Sequence, residues 1–498
     1  MDRLRIFLDT FTAQDVISCR NFLRSQTQKD NSRELELYDI LISGREGREK
    51  GKDAYHAVRK RLVKKLTDYI NLKLIQDDPT NVSAIVARLN VVRHLFNHNE
   101  GELAWYFLNQ AEKSAIHADL YTIRHAILML QIENAHRVEG QQLEDLLIRR
   151  RENKALMEEE ENAEIAAGLI RQALRQAVRT DDARSIGEVV QEVLAHYGLN
   201  KSMIRRPRLL YNILYITRSE ILARKDYFTF GPYVIEQYKI LENAGAFHKH
   251  NHLIRLNFLY MIAHVLYRNR DFHESGRYIE MLTTNMTMYN HMYFSQFHTR
   301  SVMLQAAVLC YTGRLEESIG LLREVFIESD IKHNPEERVK AVINLSIYYF
   351  MDGKHGLALR LTSGLGHTDR WYEKRMGREW LFKKNLMEVI ALYDTGSTEP
   401  ALDRLRSVER NFHGMLQLPP YQRGRVFIEV IRHIIERPHA LRDVTFASQV
   451  RKRLVTIPEE QEDLQAMAFF SWIKSKLSGM TYYEALLDTV GRVQSDLN

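Results

Sequence analysis

Two columns of small residues recur five times along this 498-residue chain, at intervals of 40 to 44 residues. The first column is Ser219, Ala263, Ala306, Ser346 and Val389, and the second, twelve residues further on each time, is Gly231, Ser275, Ser318, Ala358 and Ala401. Between them falls a turn position occupied by Asp226, Arg270, Gly313, Gly353 and Gly396. Two antiparallel helices approach closely only where their facing side chains are small, so the pattern predicts a stack of helical hairpins. The expected fold class is all-α, an α-solenoid of antiparallel hairpins preceded by an N-terminal helical domain.

Composition agrees. Apolar residues make up 45% of the chain, enough for a continuous core, and only 9 prolines interrupt it. Interior proline removes a hydrogen bond and clashes with the preceding turn, so its scarcity permits long helices. Cys19 and Cys310 lie 291 positions apart within apolar helical patterns, which argues against a disulfide scaffold or a cysteine-rich metal site and for buried reduced thiols. Asp2, Arg3, Arg5 and Asp9 interrupt the stretch where a signal peptide carries its apolar core. No apolar run reaches the roughly 18 residues of a spanning helix. A cytoplasmic location without a membrane partner is therefore expected.

Four regions follow from the pattern. Residues 1–75 read as an N-terminal helical unit with a basic helix, 76–206 as degenerate hairpins, 207–412 as the regular array, and 413–498 as a C-terminal helical and capping region. Within the last, Trp472, Gly479, Tyr482, Tyr483 and Ala485 outline one more hairpin, and polar residues after Asp488 suit a terminal cap. In the second region Ala104 follows the Asn97–Gly101 turn where a hairpin needs a small residue. Arg149, Arg150 and Arg151, followed by Glu158 to Glu161, read as a solvated helix laced with ion pairs.

The net charge of +6 is matched by one segment: Arg45 to Lys65 holds nine basic residues against three acidic ones. Its helical part presents Arg59, Lys60, Arg61, Lys64 and Lys65 around an apolar face of Tyr55, Val58, Leu62, Leu66 and Tyr69. Such a patch attracts nucleic acid or an acidic protein. It carries few aromatics on which bases could stack, so a solvated polar face is the simpler reading.

The array resembles the tetratricopeptide repeat family. That pattern places a small residue in helix A, an apolar residue three positions on, glycine at the turn and alanine near the start of helix B. Ala306, Leu309, Gly313, Leu315, Ser318 and Leu322 match it in the third hairpin, and Ser346, Tyr349, Gly353 and Ala358 in the fourth. The longer period and the missing turn glycine of the first two hairpins are departures, and they require longer helices or connections. What the resemblance implies is a non-catalytic scaffold that presents a groove lined by helix A to a protein or peptide. Carried over onto this sequence, the groove positions include Tyr260, His264 and Tyr267, then Arg300, Met303, Cys310 and Tyr311, then Lys340, Asn344 and Phe350. An apolar, aromatic groove of this kind suits an amphipathic helix or extended segment, from a partner or from the chain itself. With only Arg300, Lys340 and Asn344 to hold a carboxylate, an acidic chain terminus suits it less well. The alternative is a regulator associated with nucleic acid, or one resembling the bacterial peptide-sensing regulators, in which a small helical effector domain precedes such repeats. A peptide would then compact the solenoid and reposition residues 1–75.

Enzymatic chemistry finds no foothold. The loop Gly47 to Asp53 is one residue short of a phosphate-binding loop and ends in Asp where a hydroxyl is needed, and Gly364, Gly366 and Asp369 fail the dinucleotide fingerprint. Neither a nucleophile elbow nor a His-Glu-x-x-His motif occurs. His248, His250 and His252, and separately His94 and His98, have spacings that a metal can bridge, but neither group has an evident second-shell carboxylate. The expectation is no catalytic residues, no cofactor and no metal. Surface histidines are the default. The run Trp371 to Trp380 reads as packed aromatics flanked by charge.

Overall fold

The computed structural model describes residues 3–8, 11, 13–26, 33–43, 52–77, 82–180, 192–193, 195–199, 207, 210–211, 214–215, 227–328, 335–418, 421–454 and 464–496. Every regular element among them is helical. The chain divides into two compact units, Met1–Glu161 and Asn162–Asn498.

In the first unit, α1 (Arg3–Leu8), α2 (Ala13–Ser25), α3 (Arg33–Ser43) and α4 (Lys52–Asp77) enclose a cluster built on Leu23, Tyr38, Leu62 and Leu66. The Tyr38 hydroxyl donates to the carbonyl of Val16 at 3.0 Å, tying α3 to α2. A second cluster lies among α5 (Val82–Asn97), α6 (Gly101–His117), α7 (Tyr121–Asn134) and the start of α8 (Leu143–Thr180). The division between the units falls within α8.

Among its described residues the second unit contains α9 (Tyr227–Asn243) and four hairpins of the array. These are α10 (His252–Arg268) with α11 (Phe272–Met286), α12 (Phe294–Tyr311) with α13 (Leu315–Arg323), α14 (Pro335–Met351) with α15 (His355–Ser363), and α17 (Arg378–Asp394) with α18 (Thr398–Leu416). A short α16 (Asp369–Met376) precedes the last pair. After it come α19 (Gln422–Glu436), α20 (Val444–Leu454), α21 (Leu464–Ser478) and α22 (Tyr482–Asp496).

The two columns are where these hairpins cross. Ala263, Ser275, Ala306, Ser318, Val389 and Ala401 have no accessible surface. Three crossings carry a hydrogen bond over the twelve-residue interval: the hydroxyls of Ser275 and Ser318 donate to the carbonyls of Ala263 and Ala306 at 2.8 and 2.7 Å, and that of Ser346 to Ala358 at 2.9 Å. A buried hydroxyl needs a partner, and a helix carbonyl within reach supplies it. Ser219 and Asp226 lie outside the described residues, but Gly231 shows the same closeness. A Cβ added there would stand 2.9 Å from Asn269 Nδ2 and 3.1 Å from Val265 Cγ1.

The turns explain the third column. Gly313, Gly353 and Gly396 adopt φ of 86°, 73° and 79°. In each case the following amide donates back to the carbonyl five residues earlier: Arg314 to Leu309, Lys354 to Tyr349 and Ser397 to Leu392, at 2.8 to 2.9 Å. This is the left-handed cap that ends a helix while satisfying its last carbonyls. Arg270, where glycine is missing, makes the same turn at φ 65° and buries its side chain.

The lengthened period has a structural origin in the first helices, which run 17, 18, 17 and 17 residues. The connections add the rest. Tyr289, Asn290 and His291 form a left-handed turn between α11 and α12, and α16 is inserted before the last hairpin.

Candidate functional site

The face of the first helices is best described by rows counted from the small column. Six and three residues before it stand Asn257, Arg300 and Lys340, and then Tyr260, Met303 and Ile343. One residue after it come His264, Ala307 and Ile347, and four after it Tyr267, Cys310, Phe350 and Tyr393. The fifth-residue row is Arg268, Tyr311, Met351 and Asp394. Because successive helices stack in parallel, each row runs across the array.

The early rows are the more accessible ones, although Ile343 is buried. Arg300 and Lys340 are exposed, and Tyr260, His264, Met303 and Asn344 are half-buried. Arg300 lies 3.5 Å from Glu337. From Phe297 an aromatic ladder passes through Tyr260 (6.5 Å between ring centroids), His264 (6.2 Å) and Tyr267 (6.4 Å) to Tyr311 (5.9 Å). Tyr311 stacks on Phe272 with only 9° between the rings.

The late rows are covered, and the cover comes from the chain itself. The α21–α22 hairpin lies on them across three successive repeats. Tyr483 donates its hydroxyl to the Cys310 carbonyl at 2.7 Å, Tyr482 packs edge-on against Phe350 at 5.6 Å, and the Tyr311 hydroxyl reaches the Leu464 carbonyl at 3.4 Å. At the fifth hairpin the Trp472 indole N–H donates to Asp394 Oδ2 at 2.9 Å, while Lys476 Nζ sits 2.6 Å from Oδ1. Lys476 also lies over the rings of Trp472 and Tyr393. Phe350 is thereby taken up in the interior and Tyr311 is left half-buried against it, and burial raises the Tyr311 hydroxyl well above its usual range.

Both cysteines are free and buried. Burial pushes the Cys310 thiol up to about 12, and Cys19 to about 11 despite a hydrogen bond with Tyr38. Thiols held protonated in this way are poor nucleophiles.

The basic helix of the first unit is partly engaged. Arg61 Nε pairs with Glu34 at 2.5 Å, and Arg59 lies over the Tyr55 ring at 5.7 Å. Burial pushes the Glu34 carboxyl up, but the bond from Arg61 and the nearby Lys65 outweigh it and hold the group below its ordinary value. Lys60 and Lys64 are exposed and Lys65 half-exposed. Arg45, Arg48 and Lys50 lie outside the described residues.

Two sequence expectations change in detail. Arg149 is not a solvated residue: with Arg124 it grips Glu112, which is 3% exposed. Asn153, on the same face of α8, is fully buried and donates to the Tyr121 carbonyl at 2.9 Å. The regular spacing of Arg149 and Asn153, one turn apart, was the only available signal, and their charge and polarity masked it. The histidine groups are occupied as well. His252 is buried against the Asn285 carbonyl at 3.0 Å, and His98 Nδ1 lies 2.9 Å from the His94 carbonyl. Among the described residues no three His, Cys, Asp or Glu side chains come together as a metal site, and no helix is long and apolar enough to cross a membrane.

No family model matches the chain, and no curated protein does either. Among solved structures, the chain is similar to the Rap conjugation gene regulator of the plasmid pLS20 in complex with the Phr* peptide, at 12% identity over 83% of this chain and 96% of that one, with a TM-score of 0.44. It is also similar to a Rap protein complexed with competence and sporulation factor (12% identity, 83% and 97% covered, TM-score 0.45) and to the apo form of RapI (12%, 83% and 98%, 0.42). The peptides belong to those complexes.

Proposed function

We propose that this protein is a non-catalytic scaffold that binds a peptide, as an amphipathic helix or an extended segment, on the more accessible rows of its helix-A face. One observation carries the reading. Among the described residues the face divides into a half already filled by the chain's own aromatic-bearing hairpin and a half of similar construction where Arg300 and Lys340 are exposed and Tyr260, His264, Met303 and Asn344 are half-buried. The second half combines Tyr260, His264 and Met303 with the cations Arg300 and Lys340 and the amide of Asn344, a mixture of apolar anchors and polar contacts suited to a peptide rather than to a reacting small molecule. Tyr267 joins the two halves. In this reading residues 1–75 form an N-terminal unit distinct from the array of 207–412, with 76–206 as further hairpins and 413–498 as the C-terminal region that fills the late rows.

The test is selection of binding peptides from a random library against the whole chain, followed by measured affinity for Tyr260→Ala, Met303→Ala and Lys340→Glu variants. Lys340 is exposed and Tyr260 and Met303 are half-buried, so circular dichroism must first show that each variant keeps its fold. A loss of about tenfold or more in each variant, as expected for hot-spot residues, supports the reading. Unchanged affinity in all three sinks it.

A further inference from the structure

On a different face of the array there is a second cleft, of about 340 Å³. Its apolar walls come from Val342 of α14, Leu361 of α15 and Ile327, and its polar lining is Arg338, Arg360 and His367. Among the described residues no carboxylate lines it. At about 100° per residue, Arg338 and Val342 project from a side of α14 well separated from Lys340, Ile343 and Ile347. The cleft is therefore not part of the peptide face.

Three features set it apart. Arg255, Arg300, Arg314 and Arg323 each stand within 3.5 Å of a carboxylate. Arg338 and Arg360 have no such partner among the described residues, and both open onto the same cleft. Second, the helix after α13 widens into a π-turn over Glu324–Glu328, which brings Ile327, 45% exposed, to the wall. Such turns are rare and concentrate where a side chain must be re-aimed. Third, His367 is fixed by stacking on Trp371, with 3.9 Å between centroids and 8° between planes. An oriented imidazole and two planar guanidinium groups around an apolar floor make a receptor for a flat anion with a greasy body.

We propose that this cleft binds a carboxylate carried on an apolar body, with Arg338 and Arg360 holding the carboxylate and Ile327, Val342 and Leu361 the body. The same chemistry is presented by a free medium-chain acid and by the C-terminus of a peptide ending in an aliphatic residue.

Ligand-observed NMR titration of the full chain tests it, with hexanoate and N-acetyl-leucyl-leucine as acids and hexanamide and the amidated dipeptide as neutral counterparts. The acids should bind saturably, and the amides at least about tenfold more weakly, because a charge-assisted pair is lost. Arg338→Ala and Arg360→Ala should each weaken acid binding by about tenfold. Both side chains are exposed, and thermal melting followed by circular dichroism checks that the variants remain folded. Arg360→Lys should recover only part of the affinity, since a point charge replaces a fork. Binding of hexanoate alone assigns a free acid, and binding of the dipeptide alone a chain terminus. Equal binding of acid and amide, full retention by the Arg338→Ala/Arg360→Ala double variant, or no saturation by either acid up to the order of 10 mM would overturn the proposal.

Discussion

The hairpins of the two units cross in one register with different chemistry. In the second unit Ala263, Ala306 and Ser346 meet Ser275, Ser318 and Ala358, and a serine hydroxyl closes each crossing. In the first unit Val92 and Ala104 stand at the same twelve-residue interval around Asn99, both without accessible surface. The next crossing there replaces small residues with a buried ion pair: Glu112 and Arg124, again twelve apart, meet at 3.2 Å around the turn at Asp119. Asn99 and Asp119 adopt φ of 61° and 52°, and the amides that follow them close the same cap, Glu100 to Leu95 and Leu120 to Ala115. What is common to both units is the left-handed turn and the register it sets. Small residues are one way of filling the crossing, and a paired charge is another.

The comparison is broken most directly at Glu112. Glu112→Gln leaves two arginines facing a neutral amide in a buried site and should cost about 3 kcal/mol or more, read by urea unfolding together with faster hydrogen exchange in α6 and α7. A cost below about 1 kcal/mol would mean that packing, not charge, holds this crossing. The turns come next. Gly313→Val forces a β-branched residue into left-handed φ and should cost about 1–2 kcal/mol, whereas Asn99→Gly, at an exposed turn in the other unit, should gain a few tenths to about 1 kcal/mol by the same measurement. If both substitutions destabilise equally, the two turns are not equivalent. Ser318→Ala removes one buried hydroxyl bond and should cost about 1 kcal/mol; no loss in denaturant midpoint would reduce these serines to small residues only.

The smallest effect is in pH. Burial holds the His252 imidazole below its usual range, and although its bond to the Asn285 carbonyl acts in the opposite direction, burial dominates. The unfolded chain therefore binds the proton more readily, so this histidine's contribution to stability is present above the unfolded value and declines as pH falls through it. His355 is lowered as well, chiefly by burial. Melting temperatures should decrease modestly between pH 7 and 5, and less so in His252→Gln; a variant with an undiminished slope would move the effect to His355.

Much of this was legible in residue order. The columns located the crossings of the second to fifth hairpins, and the turn column located their caps, because close approach demands small side chains and left-handed φ favours glycine. The equivalent crossings of the first unit were harder to read. Asn99, Asp119 and Arg270 can adopt left-handed φ without announcing it, and a Glu–Arg crossing looks like surface charge until α8 brings Arg149 to the same carboxylate. The candidate face was named from the family pattern, and its residues do share one side of successive helices. Nothing in the order of residues showed that Cys310 and Phe350 meet Tyr483 and Tyr482.

The sequence by itself determined an all-helical chain, the hairpin register and the points of closest approach. These depend on contacts twelve residues apart, within the reach of one hairpin. Only the tertiary structure decided which part of the helix-A face is covered, because that depends on where a hairpin more than 150 residues away comes to rest. It also decided which arginines, among the described residues, pair with a carboxylate, since an ion pair between repeats is set by stacking geometry that local periodicity does not encode.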